Sequence, residues 1–297
     1  MNIGLCGTGR MGAAIAHRLL SVGHTVTVWN RDKAKTKPLA EAGAAVASTP
    51  AALAAACDLT ITMLLDDAAL DAVYSGPDGV LSADLGGKAV MDMSTVLPET
   101  EERIGAATQA RGAAFVECPV GGTVGPARDG KLFGLVGGED ADVARLRPVL
   151  DQLCRRVEHV GPVGSGARLK LAINLPLLVY WQSLGEALAL CKPLNLPPER
   201  LVDIMADTSG TTNGMKLRAP DIAKALAGQP LGAPAFDVRA ARKDLATMVA
   251  YARTLGLELP TAQGALGSFT EAAQSGLEGQ DAISVPVRWA GKTGARS

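Results

Sequence analysis

Gly7, Gly9 and Gly12 are spaced as G-x-G-x-x-G and follow directly on the short apolar run from Asn2 to Cys6. No other feature limits what this chain can fold into as strongly. After the glycines, Met11, Ala14, Ile15, Leu19 and Val22 recur at helical spacing. Gly23 stops that helix as a left-handed cap would, and Val26, Val28 and Trp29 form a second strand. Strand, glycine turn, helix and strand within about 30 residues is the βαβ unit that binds a dinucleotide. The first glycine allows the tight turn, the second lets a pyrophosphate approach the backbone, and the third lets the helix pack closely on the strand. N–H groups at the helix start then face the phosphates, where the helix dipole favours negative charge. Gly7, Thr8, Gly9, Arg10 and Met11 are therefore candidate cofactor-binding residues. A glycine turn without a ligand could carry the same three glycines, but it would not need the flanking unit.

The end of the second strand discriminates between dinucleotides. A carboxylate there would bind the ribose 2′-hydroxyl of NAD. This chain has Asn30 and Arg31, with Lys33, Lys35 and Lys37 close behind and Asp32 as the one opposing charge. An amide and a guanidinium tolerate a 2′-phosphate that a carboxylate would repel, and Arg can grip it bidentately. The expected cofactor is NADP (NADPH) in preference to NAD.

The chain has 297 residues, 47% of them hydrophobic, which suffices for two ordinary domains. A net charge of −1 gives no reason to expect nucleic acid or an anionic membrane as a partner. Five widely spaced cysteines without a C-x-x-C pair fit reduced thiols in a cytoplasm. The N-terminus enters a strand at once, so no signal peptide is expected. The longest apolar stretch, near Leu175 to Trp181, contains Pro176 and falls short of the ~20 residues that span a bilayer. The histidines, His17, His24 and His159, have no metal-ligand spacing. No G-x-S-x-G nucleophile elbow or G-x-x-x-x-G-K-[ST] loop occurs. The expected site holds no metal.

Up to about residue 162, strand-like runs alternate with helical ones: Leu59 to Leu64, Lys88 to Met93, Ala114 to Glu117, Leu132 to Val136 and Arg156 to Val160. That alternation predicts a doubly wound parallel sheet with its ligand crevice at the carboxyl ends of the strands. After Gly161-Pro162-Val163-Gly164 the pattern turns helical. Residues 165–194 read as one long helix, bent or interrupted at Pro176. Further helices are expected from Pro197-Pro198, over 214–228, after an Asp237 cap, and after Pro260, with Gly291 to Ser297 frayed. The expected organisation is an α/β Rossmann-type domain over residues 1–162 and an all-α domain over 163–297 that serves substrate binding and dimerisation.

Lys170 stands out for chemistry. Between Leu169 and Cys191 the charged residues are Lys170 and Glu186 alone. Lysine in so apolar a helix faces a cleft or snorkels from its end. In a cleft, loss of water lets an amine exchange protons near neutrality. Asn174 follows on the same face one turn along, so the pair can hold one substrate oxygen. In the loop Glu117 to Thr123, Gly121 and Gly122 offer backbone N–H groups to a carboxylate and Thr123 offers a hydroxyl. Asp92-Met93-Ser94-Thr95 places hydroxyls at a strand end, where they serve either the nicotinamide half of the cofactor or a helix N-cap. Lys243-Asp244 lies off the apolar stripe of its helix, and locally reads as a solvated face.

Taken in order, these segments resemble the β-hydroxyacid dehydrogenase family over nearly the whole chain. Gly7 to Gly12 is similar to its G-x-G-x-M-G start, and Gly23-His24 to Asn30-Arg31 to its NADP-type second strand. Ile61-Thr62-Met63-Leu64 resembles the strand and loop over the cofactor. Asp92 to Thr95 resembles its D-x-S-T motif, Gly166 to Asn174 its G-x-x-x-K-x-x-x-N helix, and Lys243-Asp244-Leu245 its K-D-L motif. The resemblance implies Lys170 as catalytic acid/base with Asn174 as partner. It implies Met63, Leu64, Thr95 and Lys243 at the cofactor, and Ser94, Gly121, Gly122 and Thr123 at a small carboxylic acid or aldehyde substrate. It also implies a homodimer or higher homo-oligomer. Two departures matter. The family's D-x-P-V-S-G-G loop reads Glu117-Cys118-Pro119-Val120-Gly121-Gly122-Thr123 here, so no named acid carries over. Leu65 also replaces a common proline, and Pro176 follows Asn174, near Tyr180 and Trp181. Rival readings are an imine reductase, which usually lacks the lysine, and a non-catalytic NADPH-binding protein.

Overall fold

The apolar runs of the first half become parallel strands because helices between them carry the chain back across the sheet. In the computed structural model, which describes residues 1–291, the elements are β1 (Asn2–Cys6), α1 (Arg10–Ser21), β2 (Thr25–Trp29), α2 (Lys37–Glu41), β3 (Ala45–Val46), α3 (Pro50–Ala56), β4 (Leu59–Thr62), α4 (Asp67–Ser75), β5 (Ala89–Asp92), α5 (Pro98–Gln109), β6 (Ala114–Glu117), β7 (Val120–Gly121), α6 (Val124–Arg128), β8 (Leu132–Gly138), α7 (Asp140–Leu153) and β9 (Cys154–Gly161). Then come α8 (Ser165–Leu190), α9 (Pro198–Ala206), α10 (Asn213–Leu226), α11 (Val238–Thr254), α12 (Pro260–Ala272) and α13 (Ser284–Gly291). Two compact units result, Met1–Leu171 and Ala172–Ser297, dividing inside α8. The expected division after residue 162 falls just ahead of that helix. Of the terminal segment expected to fray, Gly291 closes α13, and 292–297 lie outside the described residues.

Strands β3, β2, β1, β4, β5 and β6 lie side by side in that order, all parallel. Successive residues face opposite sides. In β5, Met91 joins one apolar cluster with Leu5 and Ile15, and Val90 joins the other with Tyr74 and Phe115. The sheet is not parallel throughout, as the strand–helix alternation led us to expect. β8 runs antiparallel to β6 and β7, because the five-residue α6 is too short for a crossover of a dozen or more residues. The longer α7 restores a parallel β8–β9 pair.

Register then fixes the working edge. Trp29, Cys6, Thr62, Asp92 and Glu117 stand level across β2, β1, β4, β5 and β6. Whatever follows each of these residues emerges at one edge of the sheet.

Among the described residues the second unit is helical apart from one bridge, Asp237 to Asp281. Helix α8 runs unbroken through Pro176 but stops at Leu190, earlier than the expected 194. Pro193 lies in the short 3₁₀ turn that follows, and Asn195 then turns left-handed at φ 50°. Asp237 caps α11 as expected, accepting from the Ala240 N–H at 2.8 Å. Helices α6 and α13 were not expected. No helix of the described residues is long and apolar enough to cross a membrane.

Candidate active site

The three glycines of the first turn meet three different demands. Gly7 has φ +99° and lies against the Met63 carbonyl oxygen. A Cβ on Gly12 would overlap the Gly7 carbonyl oxygen, so α1 could not pack so closely on the turn. A Cβ on Gly9 would meet nothing within 4 Å. Gly9 also begins α1 without any side-chain cap. An open approach to an uncapped helix start is what a pyrophosphate requires, so these residues fit the implied dinucleotide.

Asn30 braces this turn. Its Oδ1 accepts the Thr8 N–H at 3.1 Å, and its Nδ2 donates to the Asp32 carbonyl at 3.0 Å. Thr8 Oγ1 donates to the Lys35 carbonyl at 3.1 Å. The amide therefore shapes the loop as well as keeping a carboxylate away from it. Arg10, Arg31, Lys33 and Lys35 are exposed around it, and Met11 is half-buried. A cleft of about 220 Å³ opens beside Trp29, Asn30, Lys33 and Ser48.

At the next two strand ends, Met63 and Leu64 follow β4 and Ser94 and Thr95 follow β5. The Met63 N–H donates to the Cys6 carbonyl at 3.0 Å. Ser94 Oγ accepts the Leu64 N–H at 3.0 Å and donates to Asp92 Oδ2 at 3.0 Å. Ser94 is thus no helix cap, since α5 starts four residues later at Pro98 behind Leu97. It ties the loops that follow β4 and β5 together. Thr95 beside it is half-buried. Beneath lie Thr62, Tyr74 and Asp92 in one buried network, Thr62 Oγ1 donating to Asp92 Oδ2. Burial raises the pKa of Asp92 against the hydrogen bonds of Thr62, Glu101 and Ser94. Burial, then the charge of Asp92, raises Glu101 still further.

In the loop after β6, Gly122 has φ +128°, and a Cβ there would crowd Leu132. Gly121 is not so constrained. A Cβ there would lie 3.6 Å from Phe133, ordinary contact. Glycine at 121 therefore leaves space that a serine could fill. Thr123 starts α6 without capping it, so its hydroxyl is not committed to that helix.

Lys170 projects from the second turn of α8 and is only 7% exposed. Asn174, one turn on, belongs to the second unit. Its Nδ2 donates to Asp244 Oδ2 at 3.1 Å, and Asp244 Oδ1 pairs with Lys243 Nζ at 2.5 Å. Asp244 is 4% exposed and Lys243 half-buried. The local reading of Lys243-Asp244 as a solvated face is therefore wrong: one buried carboxylate holds an amide from α8 and an ammonium from α11. Trp181 is buried against half-buried Tyr180, ring centroids 5.7 Å apart.

Sequence reasoning overlooked three buried carboxyl groups, Asp92, Glu101 and Glu117, all at 0% exposure. A signal existed for two of them. Val90-Met91-Asp92 and Phe115-Val116-Glu117 each end a buried strand on an acid, where a solvated loop would usually begin.

Residues 2–161 match the NAD binding domain of 6-phosphogluconate dehydrogenase. Residues 164–288 match the NAD-binding domain of NADP-dependent 3-hydroxyisobutyrate dehydrogenase. The chain is 36% identical to glyoxylate/succinic semialdehyde reductase 1 of Arabidopsis thaliana over 93% of its own length and 94% of the relative. The structure of 3-hydroxyisobutyrate dehydrogenase from Salmonella typhimurium aligns at TM-score 0.85 and 26% identity, covering 96% of this chain and 99% of that one. Psf3 in complex with NADP+ and 2-OPP aligns at TM-score 0.83 and 29% identity, covering 95% and 98%.

Proposed function

The chain belongs to the β-hydroxyacid dehydrogenase family and is an NAD(P)-dependent oxidoreductase acting on hydroxyl donors; from that premise we propose that it interconverts a small 3-hydroxy acid and its semialdehyde, with NADP preferred and Lys170 carrying the proton. The observation that carries this reading is the buried Lys170. It stands on a helix anchored at the end of β6, in the unit whose strand ends hold the glycine turn, Met63-Leu64 and Ser94-Thr95. When bound, the nicotinamide supplies or takes the hydride. In reduction Lys170 gives its proton to the carbonyl oxygen, and in oxidation it takes one from the hydroxyl. Charge developing on that oxygen is stabilised by the ammonium and by the Asn174 amide. Backbone N–H groups at Gly121 and Gly122, with the Thr123 hydroxyl, hold the substrate carboxylate. Asn30 and Arg31 support NADP, since neither repels a 2′-phosphate and Arg can pair with it.

The test is steady-state turnover of glyoxylate, succinic semialdehyde and short 3-hydroxy acids with NADPH and with NADH. Lys170→Ala should lower kcat by about 10²–10⁴-fold, the usual worth of a positioned proton carrier, while NADPH still binds. Wild-type turnover in that variant would remove Lys170 from the chemistry, and equal use of the two cofactors would remove the NADP preference.

A further inference from the structure

Every helix begins with N–H groups that have no partner within it. In α8 the Ser165 N–H turns back to the Pro162 carbonyl, and one side chain takes the next two. Glu117 Oε1 accepts from the Gly166 N–H at 2.9 Å, and Oε2 accepts from the Ala167 N–H at 3.1 Å. The Gly164 N–H adds to the same carboxylate. Two glycines make room for it. A Cβ on Gly137 would overlap Glu117 Oε1, and one on Gly166 would overlap the Leu135 carbonyl oxygen. Lys170 stands one turn beyond Gly166. Glu117 itself is the last residue of β6 and the first of the loop that runs to Thr123.

We infer that Glu117 is a positioning residue: its ionised carboxylate clamps the first turn of α8 to the end of β6, and so fixes Lys170 relative to the 121–123 loop. Protonation removes the charge that the N–H groups stabilise and leaves neutral hydrogen bonds of roughly half the strength, so the clamp loosens. The inference rests on the reading of Lys170 as the proton carrier. Three titratable groups lie near Glu117. Asp92 of β5 is level with it, Glu101 of α5 lies near both, and the Cys118 thiol is its neighbour in the chain. From α8 come backbone N–H groups. Burial pushes the Glu117 carboxyl up to about 7, and Asp92 adds to the rise, while the three N–H groups oppose it. The clamp therefore loosens and tightens across neutral pH.

The reduction direction isolates the effect, because Lys170 then works protonated and cannot itself make the rate fall in acid. With NADPH and succinic semialdehyde, wild-type kcat should fall on the acid side with an apparent pKa near 7. Glu117→Gln should lose that limb, and its plateau kcat should drop by about 10- to 100-fold, as a displacement near 1 Å does. KM for NADPH should not move. Glu117→Asp, which keeps the charge, should restore the acid limb. Backbone amide exchange over residues 165–171 should quicken in Glu117→Gln and leave α11 and α12 as they were. A Gln variant with wild-type kcat and an intact acid limb would overturn the inference. If the Gln variant does not fold, wild-type exchange over 165–171 decides, compared at about pH 6 and about pH 8 after correction for intrinsic rates. Faster opening in acid supports the clamp, and no difference refutes it. Lys170→Ala run in parallel separates the two claims. An inactive Lys170→Ala beside an unaltered Glu117→Gln sinks the clamp alone, and an active Lys170→Ala sinks the proton-carrier reading alone, leaving the exchange data to judge the clamp.

Discussion

A methyl group added at Gly12 would overlap the Gly7 carbonyl oxygen, whereas one added at Gly9 meets no atom within 4 Å. Gly9 also has φ −65°, open to any residue. Gly9→Ala should therefore fold with an unchanged thermal midpoint. NADPH affinity should weaken by about tenfold or more, equivalent to ~1.4 kcal/mol, because the methyl stands where the pyrophosphate must approach. Gly12→Ala should lower the midpoint instead. Calorimetric titration and thermal melts of both variants check this. A Gly9→Ala protein that melts early yet binds NADPH normally would show that Gly9 serves the fold. The glycines were legible because their spacing is local. Asp244 was not, since i, i+4 spacing tells which face of a helix a residue occupies but not what covers that face. Asn174, seventy positions upstream, supplies a partner to the buried Asp244.

Helix α11 carries both Lys243 and Asp244, and its start depends on Asp237, which accepts the Ala240 N–H and is itself buried. Asp237→Ala should cost about 1 kcal/mol, the usual worth of an N-cap. Urea unfolding should show the loss, with the transition reported by the Ala172–Ser297 unit moving to lower urea. An unmoved transition would mean that the cap is idle. Elements of this kind were legible from local chemistry: the Asp237 cap, the Gly23 stop at φ +88° and the Pro260 start all lie where the residues call for them. Strand direction was not legible for β8. Whether a strand runs parallel depends on the length of the connection behind it, and the short α6 had not been recognised.

At the scale of the whole molecule, the buried acids couple folding to pH. Asp92, Glu101 and Glu117 all have folded-state pKa values raised chiefly by burial, Glu117 from its ordinary 4.5 to about 7. A carboxyl raised on folding binds more protons folded than unfolded between the two values. The stability it brings is complete below the ordinary value and is lost as pH rises through the folded one. The thermal midpoint should accordingly fall as pH rises from about 4.5 to beyond 7, and the fall should be shallower in Glu117→Gln. A midpoint flat over that window would show that these carboxyls are not raised. Stability and activity then pull in opposite directions, because the clamp on α8 needs the ionised form that burial disfavours. What the sequence determined by itself was the βαβ cofactor unit, the change to helices after Gly164, and Lys170 as the odd charge in an apolar helix. Each follows from spacing, capping and polarity over a few turns of chain. Only the tertiary structure decided that Trp29, Cys6, Thr62, Asp92 and Glu117 share one row, that Glu117 takes the N–H groups of a helix 49 positions later, and that Asp244 holds Asn174. Those pairings join residues far apart in the chain, and their energy comes from burial and register, which exist only once the sheet and helices have packed.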